Sequence, residues 1–174
     1  MPLARREALI LGAAGLAAAG AGALVGAFAL QSRSGAASLL SQNFRDLTGA
    51  SRRLAEWRGR VIVCNFWATW CAPCREEIPL LSAAQHKYGD KMVLIVGIGI
   101  DNAVKISEFS NDLKISYLLL VAESETVDTM KRLGNLQGGL PFTVVLDRQG
   151  AVAHTRLGAF KRGDLDRILD PLVG

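Results

Sequence analysis

The residues best equipped for chemistry in this sequence are two cysteines three positions apart, in Trp67-Ala68-Thr69-Trp70-Cys71-Ala72-Pro73-Cys74. They follow an apolar run and open a stretch with helical periodicity. On one helical turn, two sulfurs at this spacing can close a small disulfide ring. The first sulfur would face unpaired helix N–H groups and the positive end of the helix dipole. Both favour thiolate over thiol at Cys71. Pro73 suits a first helical turn, where no backbone donor is missed. Trp70 is placed to shield the pair while leaving Cys71 approachable.

Other chemistries for the same residues need partners that the sequence supplies poorly. Half of a zinc site would require a second cysteine pair or a Cys/His pair. The candidates are Cys64, His86 and His154, and the chain has three cysteines and two histidines in all. Cys64 sits on an apolar run and reads as an inert core thiol. A copper-binding assembly protein would use both thiolates as soft ligands for Cu(I), with His154 as the one distal candidate. A peroxidase would need a lone reactive cysteine near a threonine and an arginine. Thr69 and Arg75 are at hand, but the paired cysteines are wrong for it.

The elements that must hold this motif follow from pattern. Val61–Trp67 is apolar throughout except Asn65 and reads as a buried strand. Pro73 to about Tyr88 reads as a helix with Ile78, Leu81 and Ala84 on one face. Met92–Ile100 is a second buried strand, Lys105–Leu113 a short helix and Tyr117–Val121 a short strand. Glu123–Leu133 reads as helical, with Val127, Met130 and Leu133 inward. Phe44–Trp57 reads as a hairpin around Thr48-Gly49-Ala50-Ser51. Phe142–Leu146 and Ala151–Arg156 flank Asp147-Arg148-Gln149-Gly150 as another. Lys161–Leu172 closes the chain as a helix that starts near Gly163-Asp164. Strands alternating with helices, then a hairpin and a last helix, give an α/β domain with a mixed sheet. Chemistry in such sheets gathers beyond the carboxyl ends of the strands, which points to the end of Val61–Trp67.

Residues from about 40 to 174 resemble the TlpA/ResA group of thioredoxin-like proteins, which are exported bacterial thiol–disulfide oxidoreductases. The resemblance is carried by Phe44-Arg45-Asp46-Leu47-Thr48-Gly49, by Asn65 through Pro79 and by Gly139 through Gly150. It implies a thioredoxin-like fold: a mixed central sheet flanked by helices, with an N-terminal hairpin and a central insertion over roughly Ile100–Val121. It implies that Cys71 and Cys74 form a redox-active disulfide, with Cys71 attacking and Cys74 resolving. Pro141 matches the family's cis-proline. The backbone of Leu140 would then pair with an extended substrate segment, and Trp70, Ala72 and Pro73 would border it. Glu77 matches an acidic residue near the active site and would move protons to or from Cys74, whereas Glu76 would face water. Pro79 matches a proline inside the first helix and serves packing. Asn65 stands where cytoplasmic thioredoxins carry a buried aspartate. It cannot titrate, which leaves the proton work to Glu77. No cofactor or metal is implied.

Half of the 174 residues are hydrophobic and the formal charge is +4. The average conceals a run of 23 residues, Ala8–Leu30, with no charge and no polar side chain. Arg5 and Arg6 precede it. Residues 1–30 therefore read as a signal or anchor helix with a cytoplasmic N-terminus. Its length favours an anchor. Cleavage after a site such as Ala27-Phe28-Ala29 is the alternative, and Arg5-Arg6 faintly resembles a twin-arginine signal. Residues 31–40, with Ser32, Ser34, Gly35 and Ser38, read as a flexible tether, and 41–174 as the redox domain. The expected setting is the periplasmic face of a bacterial inner membrane. The expected partners are client proteins with disulfides and a membrane thiol-electron donor. No concentrated basic stripe marks a nucleic-acid surface. By resemblance the protein would be a reductase supporting cytochrome c or copper-centre assembly, with thiol oxidase as the alternative in the same fold.

Overall fold

The computed structural model describes residues 26–27 and 30–174. The signal or anchor expectation, with Arg5, Arg6 and most of Ala8–Leu30, lies outside those residues. Among the described residues no helix is long and apolar enough to cross a membrane.

Strand β3 (Val61–Trp67) is buried along its whole length because it lies in the middle of the sheet with helices on both faces. Its odd-numbered side chains Val61, Val63 and Trp67 point to one hydrophobic cluster, and the even-numbered Ile62, Cys64 and Phe66 to another. The other strands are β1 (Phe44–Asp46), β2 (Ser51–Arg52), β4 (Val93–Gly99), β5 (Leu118–Val121), β6 (Phe142–Leu146) and β7 (Val152–Leu157). Their order is β2-β1-β5-β4-β3-β6-β7. β3, β4 and β5 run parallel; β6, β7 and β1 are antiparallel to their neighbours. Cα partners Trp67 and Gly99, then Gly99 and Val121, bring the carboxyl ends of the three parallel strands level. The N-terminal hairpin forms as expected through Phe44↔Arg52. Beyond it, 54–57 is a turn of 3-10 helix rather than strand.

Helix α1 covers residues 30–41, followed by α2 (Ala72–Tyr88), α3 (Ala103–Asp112), α4 (Thr126–Arg132) and α5 (Asp164–Val173). α2, α3 and α5 supply side chains to the cluster around Trp67. α1 and α4 supply them to the cluster around Phe66. α3 and β5 are the central insertion. Gly163 adopts a left-handed conformation (φ 81°) and starts α5 where the Gly163-Asp164 signal places it.

Two expectations are corrected. Residues 31–40 are not a tether but most of α1. Ala36, Leu39 and Leu40 recur at helical spacing and are buried against Phe44, Met130 and Leu133. Gly35 makes this packing feasible. A Cβ there would lie 2.9 Å from the Arg132 carbonyl oxygen, so the helix approaches α4 where only hydrogen fits. Ser38 bonds across this interface, its Oγ 3.3 Å from Thr129 Oγ1. Ala36, Leu39 and Leu40 are therefore packed into the core ahead of residue 41. Val127 is the second correction. It is 43% exposed, while Thr126 and Thr129 face inward beside Met130 and accept or donate hydrogen bonds with Gln42. Met130 and Leu133 keep their expected apolar places, and the polar contact with Gln42, just after α1, takes the place expected for Val127.

Candidate active site

β3 delivers the chain to the level of Gly99 and Val121, and four residues later α2 begins. Cys71 is its N-cap, extended at φ −86° and ψ 104°, and Pro73 occupies the first turn. Cys74 lies on the same turn. The two form a disulfide with S–S 2.06 Å and Cα–Cα 5.3 Å. A helix start leaves its first amides without acceptors of their own, so the Cys71 sulfur sits at the positive end of α2. Cys71 is 6% exposed and Cys74 is fully buried, so an incoming group can reach only the first. Trp70 stands out at 71% exposed, with Ala72 and Pro73 also exposed. These three rim the pair rather than cover it.

The peptide bond Leu140–Pro141 is cis. Pro141 is buried, Leu140 half-buried, and the following residue Phe142 is the Cα partner of Phe66. This register sets the Pro141 loop beside the end of β3. The loop is braced by Asn135, whose side chain donates to the Gly139 carbonyl (2.8 Å) and accepts from the Gly139 N–H (3.0 Å). The Pro141 carbonyl accepts from the Gly158 N–H at 2.8 Å.

Behind the pair lies a buried polar network. Glu77, three residues after Cys74 and so on its side of the helix, has no exposed surface. Its Oε1 accepts from Asn65 Nδ2 (2.7 Å) and its Oε2 from the Phe160 N–H (2.9 Å). Asn65 Nδ2 also donates to Thr143 Oγ1 at 3.0 Å. Burial pushes the Glu77 carboxyl above its ordinary pKa, against the two hydrogen bonds and the charge of Arg156. Glu76 is exposed, as expected. Thr143 and the Phe160 amide went unnoticed in the sequence, because neither has a local pattern: they arrive from β6 and from the loop after β7.

The insertion contributes a further contact. Thr69 Oγ1 donates to Asp101 Oδ2 at 2.5 Å, just beyond the end of β4. That bond, the Asn102 N–H and Lys105 hold the Asp101 carboxyl below the usual range. The Asp101-Asn102 pair is legible as a helix start, since Asn102 caps α3 by accepting from the Lys105 N–H at 3.0 Å. Its link to Thr69 is not.

Cys64 is a buried free thiol, and burial pushes its pKa up. It points to the face of the sheet away from α2. His154 on β7 is level with Val145 and through it with Val63, four residues down the strand from Trp67. Among the described residues no group of three or more His, Cys, Asp or Glu could hold a metal ion.

A dithiol–disulfide couple at the start of a helix, with a cis-proline beside the end of the preceding strand in a mixed α/β sheet, defines a thioredoxin-like thiol–disulfide oxidoreductase. The Redoxin family model matches residues 36–170, and the chain belongs to that family. It is similar to the thiol-disulfide oxidoreductase ResA of Bacillus thuringiensis subsp. konkukian, 31% identical over 131 residues (74% of this chain, 72% of that protein). The ResA of Geobacillus kaustophilus is 26% identical over 128 residues, covering 73% of this chain and 71% of that one. Among solved structures, a thiol:disulfide interchange protein of the thioredoxin family from Chlorobium tepidum aligns with TM-score 0.67 and 27% identity, over 76% of this chain and 93% of that chain.

Proposed function

We propose that this protein is an exported reductase of disulfides in client proteins, with Cys71 as nucleophile and Cys74 as resolving thiol. The observation that carries it is the Cys71–Cys74 pair at the start of α2, the first sulfur reachable and the second buried. In the reduced protein the Cys71 thiolate attacks one sulfur of a client disulfide. A mixed disulfide forms and the other client sulfur leaves as thiolate, to be protonated. Cys74 then loses its proton and attacks Cys71, so that the second client thiolate departs and the protein retains the disulfide. Glu77, one turn from Cys74 and held above its ordinary pKa by burial, is the group suited to take that proton. Two electrons from a thiol donor restore the dithiol.

The client enters along the Pro141 loop. An extended segment adds to the backbone of Leu140 while Trp70, Ala72 and Pro73 border its side chains. The apolar stretch Ala8–Leu30 would deliver the domain across the inner membrane and hold it there, near a membrane thiol donor, for cytochrome c or copper-centre assembly. The names of the ResA relatives support the chemistry, and the resemblance supports the setting.

Direction is set by potential, and about 30 mV changes a two-electron equilibrium tenfold. The test is equilibration of the Cys71–Cys74 couple with glutathione. A reducing potential, nearer thioredoxin at about −270 mV, is expected. A value near about −120 mV would assign the protein to thiol oxidation instead.

A further inference from the structure

The insertion touches the redox motif on both sides of the cysteines. Before them, Asp101 holds Thr69. After them, Phe109 of α3 packs between two groups of the motif. Its ring centroid is 5.2 Å from that of Trp67, tilted by 31°, and the Arg75 guanidinium carbon lies 5.2 Å from the same ring. Arg75 is four residues after Cys71, its N–H bonded to the Cys71 carbonyl (3.3 Å), so it belongs to the side of the first turn that carries the attacking sulfur. A solvated arginine side chain would sample many rotamers. Its partner here is a ring and not a carboxylate, so the contact restrains the guanidinium without cancelling its charge.

We propose that Phe109 is a positioning residue for the redox reaction, holding the Arg75 guanidinium against the start of α2 so that its charge favours the Cys71 thiolate. The consequence follows from linkage. A stabilised thiolate stabilises the dithiol form and makes the couple more oxidising than the same helix would be without the stack. Other charged groups on the elements packed around the pair are Glu76 and Glu77 at the start of α2, Asp101, Lys105, Glu108 and Asp112 at the insertion and Arg156 on β7. Asp101 is committed to Thr69 and Lys105, and Glu77 to Asn65 and Phe160, which leaves Arg75 as the cation that the insertion can control. This inference rests on the reading of Cys71 as the attacking sulfur.

The test is the pH dependence of iodoacetamide labelling at Cys71 in the reduced full-length protein, located by peptide mass. Phe109→Leu keeps an apolar side chain on Trp67 but removes the ring. Arg75→Met removes the charge. Each is expected to raise the labelling midpoint and cut the thiolate fraction at neutral pH about two- to threefold, the scale of an exposed cation–π contact. The double variant is expected to go no further than Arg75→Met, because Phe109 acts only through that charge. Phe109→Tyr restores the ring and the wild-type midpoint. A Phe109→Leu midpoint equal to wild type overturns the proposal, as do single shifts that add in the double variant. Should Phe109→Leu fail to fold, an unchanged midpoint in Arg75→Met overturns it equally. Labelling involves no client, so failure here is distinct from failure of the proposed function. The latter fails if Cys71→Ser still exchanges disulfides.

Discussion

The two faces of strand β3 are built from alternate residues of one seven-residue segment, yet they differ in kind. The face toward α1 and α4 receives Ile62, Cys64 and Phe66, and its partners Val96, Ile98, Leu120, Val144 and Leu146 are all apolar. The face toward α2 receives Val63, Asn65 and Trp67, and it encloses the Asn65–Glu77–Thr143 network. It also holds buried polar atoms with no partner among the described residues, at Asn65 Oδ1, Trp67 Nε1 and Tyr117 Oη. Buried polar groups cost stability unless paired, so a chain built for stability alone would fill both faces alike. The difference shows where stability and chemistry have been separated. One face is packing; the other carries the carboxyl, the redox pair and their electrostatics. Cys64 and Cys74 show the contrast within one residue type, both fully buried but only one within reach of a second sulfur.

The largest effect that would sharpen this contrast is on the apolar face. Phe66→Ala removes a ring stacked 5.9 Å from Phe142 and is expected to cost about 3–5 kcal/mol in urea unfolding. The pH midpoint of Cys71 labelling in the fraction still folded should stay in place. If that midpoint moved by a full unit, the two faces would not be independent.

Glu77→Ala comes next. It strands one N–H of the Asn65 amide and the Phe160 N–H in the interior and is expected to cost about 1–3 kcal/mol at neutral pH. Glu77→Gln should cost less. Turning the Asn65 amide presents its otherwise unpaired Oδ1 to the new amide, and the remaining Gln oxygen can accept from Phe160. Equal losses in both variants would show that the network contributes nothing through its hydrogen bonds.

A smaller effect is the pH dependence of stability. The Glu77 pKa is raised in the folded protein, so folding is favoured most while the carboxyl is protonated in both states. That contribution is fully present below the unfolded pKa and is lost as pH rises through the folded one. Urea midpoints of wild type should therefore fall with rising pH relative to Glu77→Gln, with the difference levelling off above the folded pKa. A difference that stays constant from acid to neutral pH would contradict a raised Glu77. The smallest effect belongs to Cys64. In the native reduced protein it should resist iodoacetamide while Cys71 reacts, and Cys64→Ala should leave the rate of disulfide exchange unchanged.

Legibility in the sequence divides along similar lines. β3, the start of α2 and the β6–β7 hairpin could be read locally, because an unbroken apolar run, Pro73 after Cys71 and Asp147-Arg148-Gln149-Gly150 each dictate structure within a few residues. The Cys71/Cys74 pair is legible from its spacing at a helix start, whereas the roles of Glu77 and Pro141 rest on motif resemblance. What escaped was set at a distance. Residues 31–40 look like linker by composition, but Leu39 and Leu40 become a core element once β1 and α4 offer a surface. Val127 turns outward and Thr129 inward because Gln42, just after α1, bonds the threonines of α4. The Phe160 amide reaches Glu77 across 83 positions of sequence, and no periodicity encodes that meeting.

The division of labour between a reachable and a buried sulfur can be seen by incubating reduced Cys71→Ser and Cys74→Ser proteins with a disulfide-containing client and mapping any mixed disulfide by peptide mass. Cys74→Ser should accumulate a covalent complex through Cys71, since the resolving thiol is gone. Cys71→Ser should give none, and no exchange. A complex through Cys74, or undiminished exchange by Cys71→Ser, would contradict it.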